Sequence, residues 1–504
     1  MDIASRLVIT PPMYFEEPAS KCGYCKGEKA PADAFSLNSW AQESLEDGNS
    51  VRNSTLGFQC ENLTVEMYDS LCNRGFRRSG RFLYKPDLLR TCCRLYTIRT
   101  TPEQMHPSKE YRSCVRRFCK LAGAPQTPSQ PFDYIRELTA ALADDSCRLT
   151  TRFEPATYTE EKYALFAKYQ EEVHADFKHN KRSFERFLCD SPFPDEVQQG
   201  TSEEWAQLNA VSSGDCEGGP TDLLRLGPAH ECYYLDGTLI AVAVTDFLPS
   251  GLSSVYFIWD PAFRRWSLGK VSAMRELALL SRTTRPYYYL GYYVEDCPKM
   301  NYKAAYGGEL LDVTAARYYP LDELRKQGAL DHGHLFAYSG EDDHGERERE
   351  LDGLLGLDSY ERCDVGEDSG LRNVAEEVYG AHGAIAQNQQ DYASVVETLQ
   401  KYGIDYSYDD YAQLYGQSDS DSPEGIRPLP NVVPGMLPLH ELLSMVESNR
   451  MNQLNGSLLI YDTQMLRIRP VFDFYTEPES IKTALCNVVR VLGLRLAKRT
   501  LVII

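Results

Sequence analysis

Residues 253–303 limit what this chain can fold into more than any other stretch. Val255, Tyr256, Phe257, Ile258 and Trp259 form an unbroken β-branched and aromatic run, which predicts a buried strand. Asp260-Pro261 stops it. Ser267-Leu268-Gly269 then opens a segment whose apolar residues Leu268, Val271, Met274 and Leu277 recur at helical spacing. Residues 287–294, YYYLGYYV, predict a second aromatic strand.

Strand, Gly-containing turn, helix and strand make the core of an acyl-transfer fold of the acetyltransferase (GNAT-like) type. There the turn's free N–H groups cradle a phosphate or a carbonyl. The fold class expected is therefore α+β. The wording of SSVYFIWDP, SLG and YYYLGYYVEDCPKMNYK resembles the C-terminal core of the eukaryotic arginyl-tRNA–protein transferases. The resemblance recurs in Cys22-Gly-Tyr-Cys25, in RRSGRFLYKP at 77–86 and in TCCRLYTIR at 91–99. It implies transfer of arginine from arginyl-tRNA to the N-terminal amine of proteins beginning with Asp, Glu or oxidised Cys, marking them for ubiquitin-dependent degradation.

A chain of 504 residues has room for two or three domains. The expected division is an N-terminal cysteine-cluster domain (1–150), a transferase core (151–335), an acidic variable insertion (336–427) and a C-terminal part completing the core (428–504). No apolar run reaches membrane-spanning length, so no membrane partner is expected. Fifteen cysteines at irregular spacing argue against a secreted disulfide framework and for a reducing cytosol or nucleus.

A net charge of −20 taken whole argues against an RNA partner, but it is unevenly spread. Residues 74–120 hold 13 Lys/Arg against 3 Asp/Glu, whereas 338–425 hold 5 against 22. Local field, screened beyond about 10 Å, governs encounter. Cations interleaved with Phe76, Phe82 and Tyr84 suit a phosphate backbone and unstacked bases, and Arg77, Arg78, Arg81 and Lys85 are the candidates there. Arg112, Arg116 and Arg117 share one helical face beyond them. The alternative for both groups is a salt-bridged surface.

Taken in order, residues 1–20 read as a flexible lead and 31–60 as a loop. A helix is predicted from 63 to 74 after an Asn62 cap. Cys22-x-x-Cys25 can aim two thiolates at one metal, and Cys92-Cys93 could complete four. The family resemblance implies an iron–sulfur cluster or zinc on these four residues. It also marks Arg94 as a departure, since many relatives carry proline there, expected to loosen the loop. Residues 158–188 predict a long amphipathic helical region whose His174 and His179 are polar-face residues. Asp236-Gly237 predicts a hairpin turn between strands near 230–235 and 239–244. Residues 124–130 read as a linker.

Attack of an α-amine on an aminoacyl ester needs little general-base help, because the ester is already activated. Positioning and oxyanion stabilisation should carry the rate. Ser267 and Gly269 are candidates to serve the ester carbonyl, with Asp260 and His230 as further catalytic candidates. Asp260, Glu295 and Asp296 are carboxylates for the arginyl group. Lys299 and Lys303, flanking Tyr302, are candidates for the acceptor's acidic side chain. Cys297 is read as packing. No nucleotide cofactor is expected besides the donor tRNA. Two other readings compete: an acetyl-CoA-dependent acetyltransferase of the same fold, and a non-catalytic metal-thiolate RNA-binding protein.

Overall fold

The two aromatic strands form Gly251–Trp259 and Tyr287–Tyr293, neighbours at the centre of an eight-stranded sheet. The computed structural model describes residues 3–29, 52–124, 131–143, 147–214, 219–339, 370–380, 383–385, 392–407, 426–427 and 429–504. The order across this sheet is Arg317–Pro320, Glu309–Asp312, Tyr96–Thr100, Tyr287–Tyr293, Gly251–Trp259, Thr238–Phe247, Gly227–Leu235 and Leu149–Glu154.

The central strands run parallel, yet pair only at Gly251↔Tyr287, Leu252↔Tyr288 and Ser253↔Tyr289. Beyond that point each follows its other neighbour, one to Trp259↔Ala241 and the other to Tyr293↔Tyr96. Register breaks between Ser254 and Tyr256 and between Tyr289 and Tyr292 turn them apart, because a bulge bends its strand and raises its twist. Two glycines make this possible. A Cβ on Gly251 would sit 1.8 Å from the Tyr287 carbonyl oxygen, where the strands touch. Gly291 adopts φ +76°, which side chains rarely tolerate, at the point of divergence. The parted strands leave a cleft, so within the run Val255–Trp259, predicted to be buried, only Ile258 is fully so.

Leu268–Leu280 is the helix read from the apolar spacing. It is buried from Val271 to Leu280, because one side meets the sheet and the other meets the helices Lys109–Ala122 and Tyr134–Ala143. The hairpin turn is as predicted: Asp236 and Gly237 both take positive φ, as a tight two-residue turn requires.

Several expectations meet a different structure. The lead and the loop contribute strands Leu7–Ile9, Met13–Pro18 and Arg52–Asn62 to a second, nine-stranded sheet. Residues 428–504, expected to complete the transferase core, pair with these strands instead: Thr500–Ile503 runs parallel to both Leu7–Ile9 and Leu459–Asp462. The largely buried helix Glu479–Ala497 supplies much of that sheet's core. The helix Val65–Cys72 is capped by Thr64, whose hydroxyl accepts from the Met67 N–H, while Asn62 donates to the Arg6 carbonyl at 2.7 Å. Residues 158–188 form two helices, Glu160–Tyr169 and Lys181–Phe184, each ending in a wider turn. The linker from 125 and most of the acidic insertion lie outside the described residues. No described helix is long and apolar enough to cross a membrane.

Candidate active site

The cleft between the parted strands holds a cavity of about 450 Å³, a volume suited to a small ligand or two short side chains. One wall comes from 253–257 and Trp259, the other from Leu290, Gly291 and Tyr292. Gly269, Ser272, Ala273 and Glu276 of the central helix close one side. Arg77, Arg78 and Tyr84 from the nine-stranded sheet, Tyr24 of the cysteine loop and Met300, Tyr302 and Lys303 close the rest.

Four buried acidic or basic side chains line this cavity; Arg78 is paired with Asp246 and the other three are incompletely satisfied. Arg77 donates through Nη1 to the carbonyls of Cys72 (3.0 Å) and Phe76 (2.6 Å), while its Nε and Nη2 are buried without hydrogen-bond partners. Its guanidinium lies over the Tyr289 and Tyr292 rings, 5.8 and 5.7 Å from their centres. Lys303 donates to the Tyr292 carbonyl at 2.6 Å, and burial, helped by the Arg77 charge, pushes its amine down to about 7. Glu276 is 2 % exposed; Ser272 Oγ donates to its Oε1 at 3.0 Å, and its Oε2 has no partner. Burial pushes that carboxyl up to about 8 against hydrogen bonding from Tyr288 and Ser272. Buried charges are ordinarily paired, so three incompletely satisfied ones on one cavity mark a place that a charged ligand completes.

Gly269 stands in the first turn of Leu268–Leu280, whose amides lack intrahelical acceptors and whose dipole is positive. Ser267 precedes it at φ +55°, an uncommon conformation for a side chain, and its Oγ accepts from Arg117 at 3.1 Å.

Beside the cavity the four cysteines come together. Cys22 Sγ lies 4.0 Å from Cys93 Sγ and Cys25 Sγ 3.6 Å from Cys92 Sγ, with all four sulfurs within 4.8 Å of one another. The adjacent pair Cys92-Cys93 faces the same centre as Cys22 and Cys25. Hydrogen bonds from Cys92 and Cys93 hold the Cys22 thiol well below the usual range, and both of those thiols are pushed well above it. Four soft donors at this spacing fit a metal ion. Arg94 braces the loop rather than loosening it: it is buried and donates to the carbonyls of Leu88, Leu89 (2.9 Å) and Gly333 (3.0 Å). Cys297 is buried against this cluster, as a packing residue.

Other candidates are engaged elsewhere. Asp260 caps the turn Pro261–Trp266 through the Ala262 N–H at 2.9 Å and pairs with Lys168 at 2.7 Å, outside the cavity lining. Glu295 pairs with Arg325 at 3.1 Å, and Asp296 with Lys29 at 2.7 Å. Lys299 is exposed and does not line the cavity. His230 is fully buried in Gly227–Leu235 with Nε2 2.9 Å from the Leu188 carbonyl; burial, with the Lys162 charge, pushes it down to about 3, so it is a neutral core residue.

The basic segment divides. Arg78 is buried in a two-pronged bond to Asp246, at 2.7 Å on each prong. Lys85 is 2 % exposed, over the Phe76 ring, and burial pushes it down to about 7. Neither presents its charge to RNA. Arg81 is half-exposed and paired with Glu61 at 2.6 Å. Arg112, Arg116 and Arg117 do face solvent, the first two over the Phe132 ring.

Glu276 was not among the expected site residues, and Arg77 was expected on an RNA face. The signal for Glu276 was present: the Leu268–Leu280 helix is apolar on nearly every side, so a charge within it is forced inside.

A mixed α/β chain whose sheet parts over a cavity of unmatched charges, with a helix N-terminus at its rim, has the construction of a group-transfer enzyme. Comparison with known proteins agrees and goes further. Residues 20–113 match the family described as "Arginine-tRNA-protein transferase, N terminus", and 161–312 match its "C terminus". Arginyl-tRNA–protein transferase 1 of Saccharomyces cerevisiae is 43% identical over 521 residues, covering 99% of each chain. Arginyl-tRNA–protein transferase 1 of Arabidopsis thaliana is 37% identical over 35% of this chain and 27% of its own. An aspartate/glutamate leucyltransferase of Chromohalobacter salexigens is 29% identical over 47% of this chain and 73% of its own. The chain belongs to the arginyl-tRNA–protein transferase family.

Proposed function

We propose that this cavity is where arginine passes from arginyl-tRNA to the N-terminal amine of proteins beginning with Asp, Glu or oxidised Cys. The observation that carries the acceptor class is the pair of buried cations, Arg77 and Lys303, with no carboxylate partner among the described residues. An acidic first side chain would supply the missing charge, in a desolvated site where the contact is strong. The aspartate/glutamate in the name of the leucyltransferase relative supports the same acceptor class.

The chemistry follows from the ester. The free amine attacks the aminoacyl carbonyl, and a tetrahedral oxyanion forms. Its collapse makes the amide and breaks the C–O bond to the terminal ribose, whose oxygen takes up the proton the amine gives away. The Gly269 amide at the helix N-terminus supports the developing negative charge without reorganising. Walls of Tyr, Trp and Phe hold water away from an ester that water would otherwise cleave. The parted central strands support a GNAT-like reading of this core, with an aminoacyl ester where that fold takes a thioester. The exposed Arg117, which donates to Ser267, and the exposed Arg112 and Arg116 of the same helix would meet tRNA phosphates.

For the cysteines, sulfur spacings of 3.6 and 4.0 Å support one tetrahedral ion of the zinc type, since a zinc–sulfur bond of about 2.3 Å sets tetrahedral sulfurs ~3.8 Å apart. An iron–sulfur cluster needs wider spacing between thiolates on different irons, all four in a [4Fe–4S] cluster and the two pairs in a [2Fe–2S] cluster. The ion would neutralise the thiolates and fix the loop that carries Tyr24 into the cavity wall.

The reading is tested with labelled arginine on one tRNA and two peptides differing only in starting with Asp or Gly. Labelling of the Asp peptide alone is expected. Equal labelling of both would remove the acceptor assignment.

A further inference from the structure

Glu276 is the only carboxylate lining the cavity among the described residues. It sits two turns into Leu268–Leu280, and its neighbour Arg275 does not answer its charge. That guanidinium is taken by Glu231 and by Thr151 Oγ1 at 2.9 Å. Ser272 satisfies one Glu276 oxygen, leaving Oε2 buried and without a hydrogen-bond partner on a side chain that lines the cavity. The other carboxylates near the strand ends are already matched: Asp260 by Lys168, Glu295 by Arg325, Asp296 by Lys29.

We infer that Glu276 receives the guanidinium of the arginyl group on the donor tRNA, and that this contact selects arginine over uncharged aminoacyl groups. The inference rests on arginine transfer being the reaction. A guanidinium is planar, always charged and able to give a carboxylate parallel hydrogen bonds, so it is the partner such a buried oxygen lacks. The cavity then has two subsites of opposite sign. Glu276 takes the cationic donor side chain; Arg77 and Lys303 take the anionic acceptor side chain. This geometry orders the substrates, because either group placed in the wrong subsite meets like charge. A site built around a charged hydrogen bond rejects an analogue lacking it far more strongly than a pocket that reads size alone.

The test is transfer to an Asp-initiated peptide from one tRNA charged in parallel with arginine or with citrulline, whose ureido group matches arginine in shape and carries no charge. The intact protein is expected to prefer arginine by about 100-fold or more in kcat/KM. Glu276→Gln is expected to bring the two donors within about tenfold, by slowing arginine and sparing citrulline. A preference left unchanged, or an equal fall for both donors, would overturn the inference; the second result would assign Glu276 to the acceptor amine. An intact protein that transfers neither donor would instead overturn the arginine-transfer reading. Should Glu276→Gln fail to fold, Glu276→Asp keeps the charge and withdraws it by one methylene. It is expected to slow arginine while retaining the preference, and unchanged arginine kinetics would count against the contact.

Discussion

Arg77 and Arg78 are adjacent in the short strand Arg77–Ser79, both buried, with opposite surroundings. Arg78 is answered prong for prong by Asp246, whereas Arg77 keeps two nitrogens without partners beside the cavity. The same contrast separates two regions of the molecule. Inside the sheets charges are matched: Arg99 meets Glu309 at 2.6 Å between the Tyr287 and Tyr318 rings, and Arg275 meets Glu231. In the cavity lining, beside the matched Arg78, the side chains of Arg77, Lys303 and Glu276 are left for a ligand to complete. Burial alone therefore does not separate structural charges from functional ones; an unanswered charge on a cavity wall does.

Breaking a matched pair should cost the most. Asp246→Ala strands the Arg78 guanidinium and is expected to lower stability by about 3–5 kcal/mol, read from denaturant unfolding. A loss under about 1 kcal/mol would dissolve the distinction. His230 sharpens the matched side through pH. Folding lowers it from 6.5 to about 3. Between those values the unfolded chain binds a proton that the folded chain refuses. Stability complete above about pH 6.5 is thus lost at about 1.4 kcal/mol per pH unit as pH falls toward 3. His230→Gln should flatten that acid slope and leave the pH dependence of transfer unchanged; a shifted rate profile would return His230 to the chemistry.

The cavity side should behave the other way. Lys303→Met removes a charge that burial disfavours at neutral pH, so stability at pH 7 is expected to change by no more than about 1 kcal/mol while transfer to Asp peptides falls. Smallest of all, Asp260→Asn breaks a half-exposed pair with Lys168, worth about 0.2–1 kcal/mol. It should leave kcat/KM within about twofold, and a tenfold loss would restore Asp260 as a site residue.

The strands, the helix between them and the Asp236-Gly237 turn were legible because each follows from local spacing and turn chemistry. The cysteines were legible because few other arrangements use four thiols. The closing of the nine-stranded sheet by 459–503 was not, since strand pairing across some 490 residues, as in Leu7↔Thr500, leaves no local trace. Asp260 misled because an Asp before Pro at a strand end reads equally as a ligand group and as the turn cap it is. Arg77 and Arg78 are identical as letters. Both line the cavity, and only the carboxylate beyond the backbone, Asp246 for Arg78 and none for Arg77, tells them apart.

The most direct test of that distinction compares peptides beginning with Asp and with Asn, identical in shape and differing in charge, as acceptors for the intact protein and for Arg77→Gln. The unmatched guanidinium predicts a preference for Asp of about 100-fold or more in the intact protein, reduced to within about tenfold in Arg77→Gln without loss of folding. A folded Arg77→Gln protein that keeps the full preference for Asp would contradict the account.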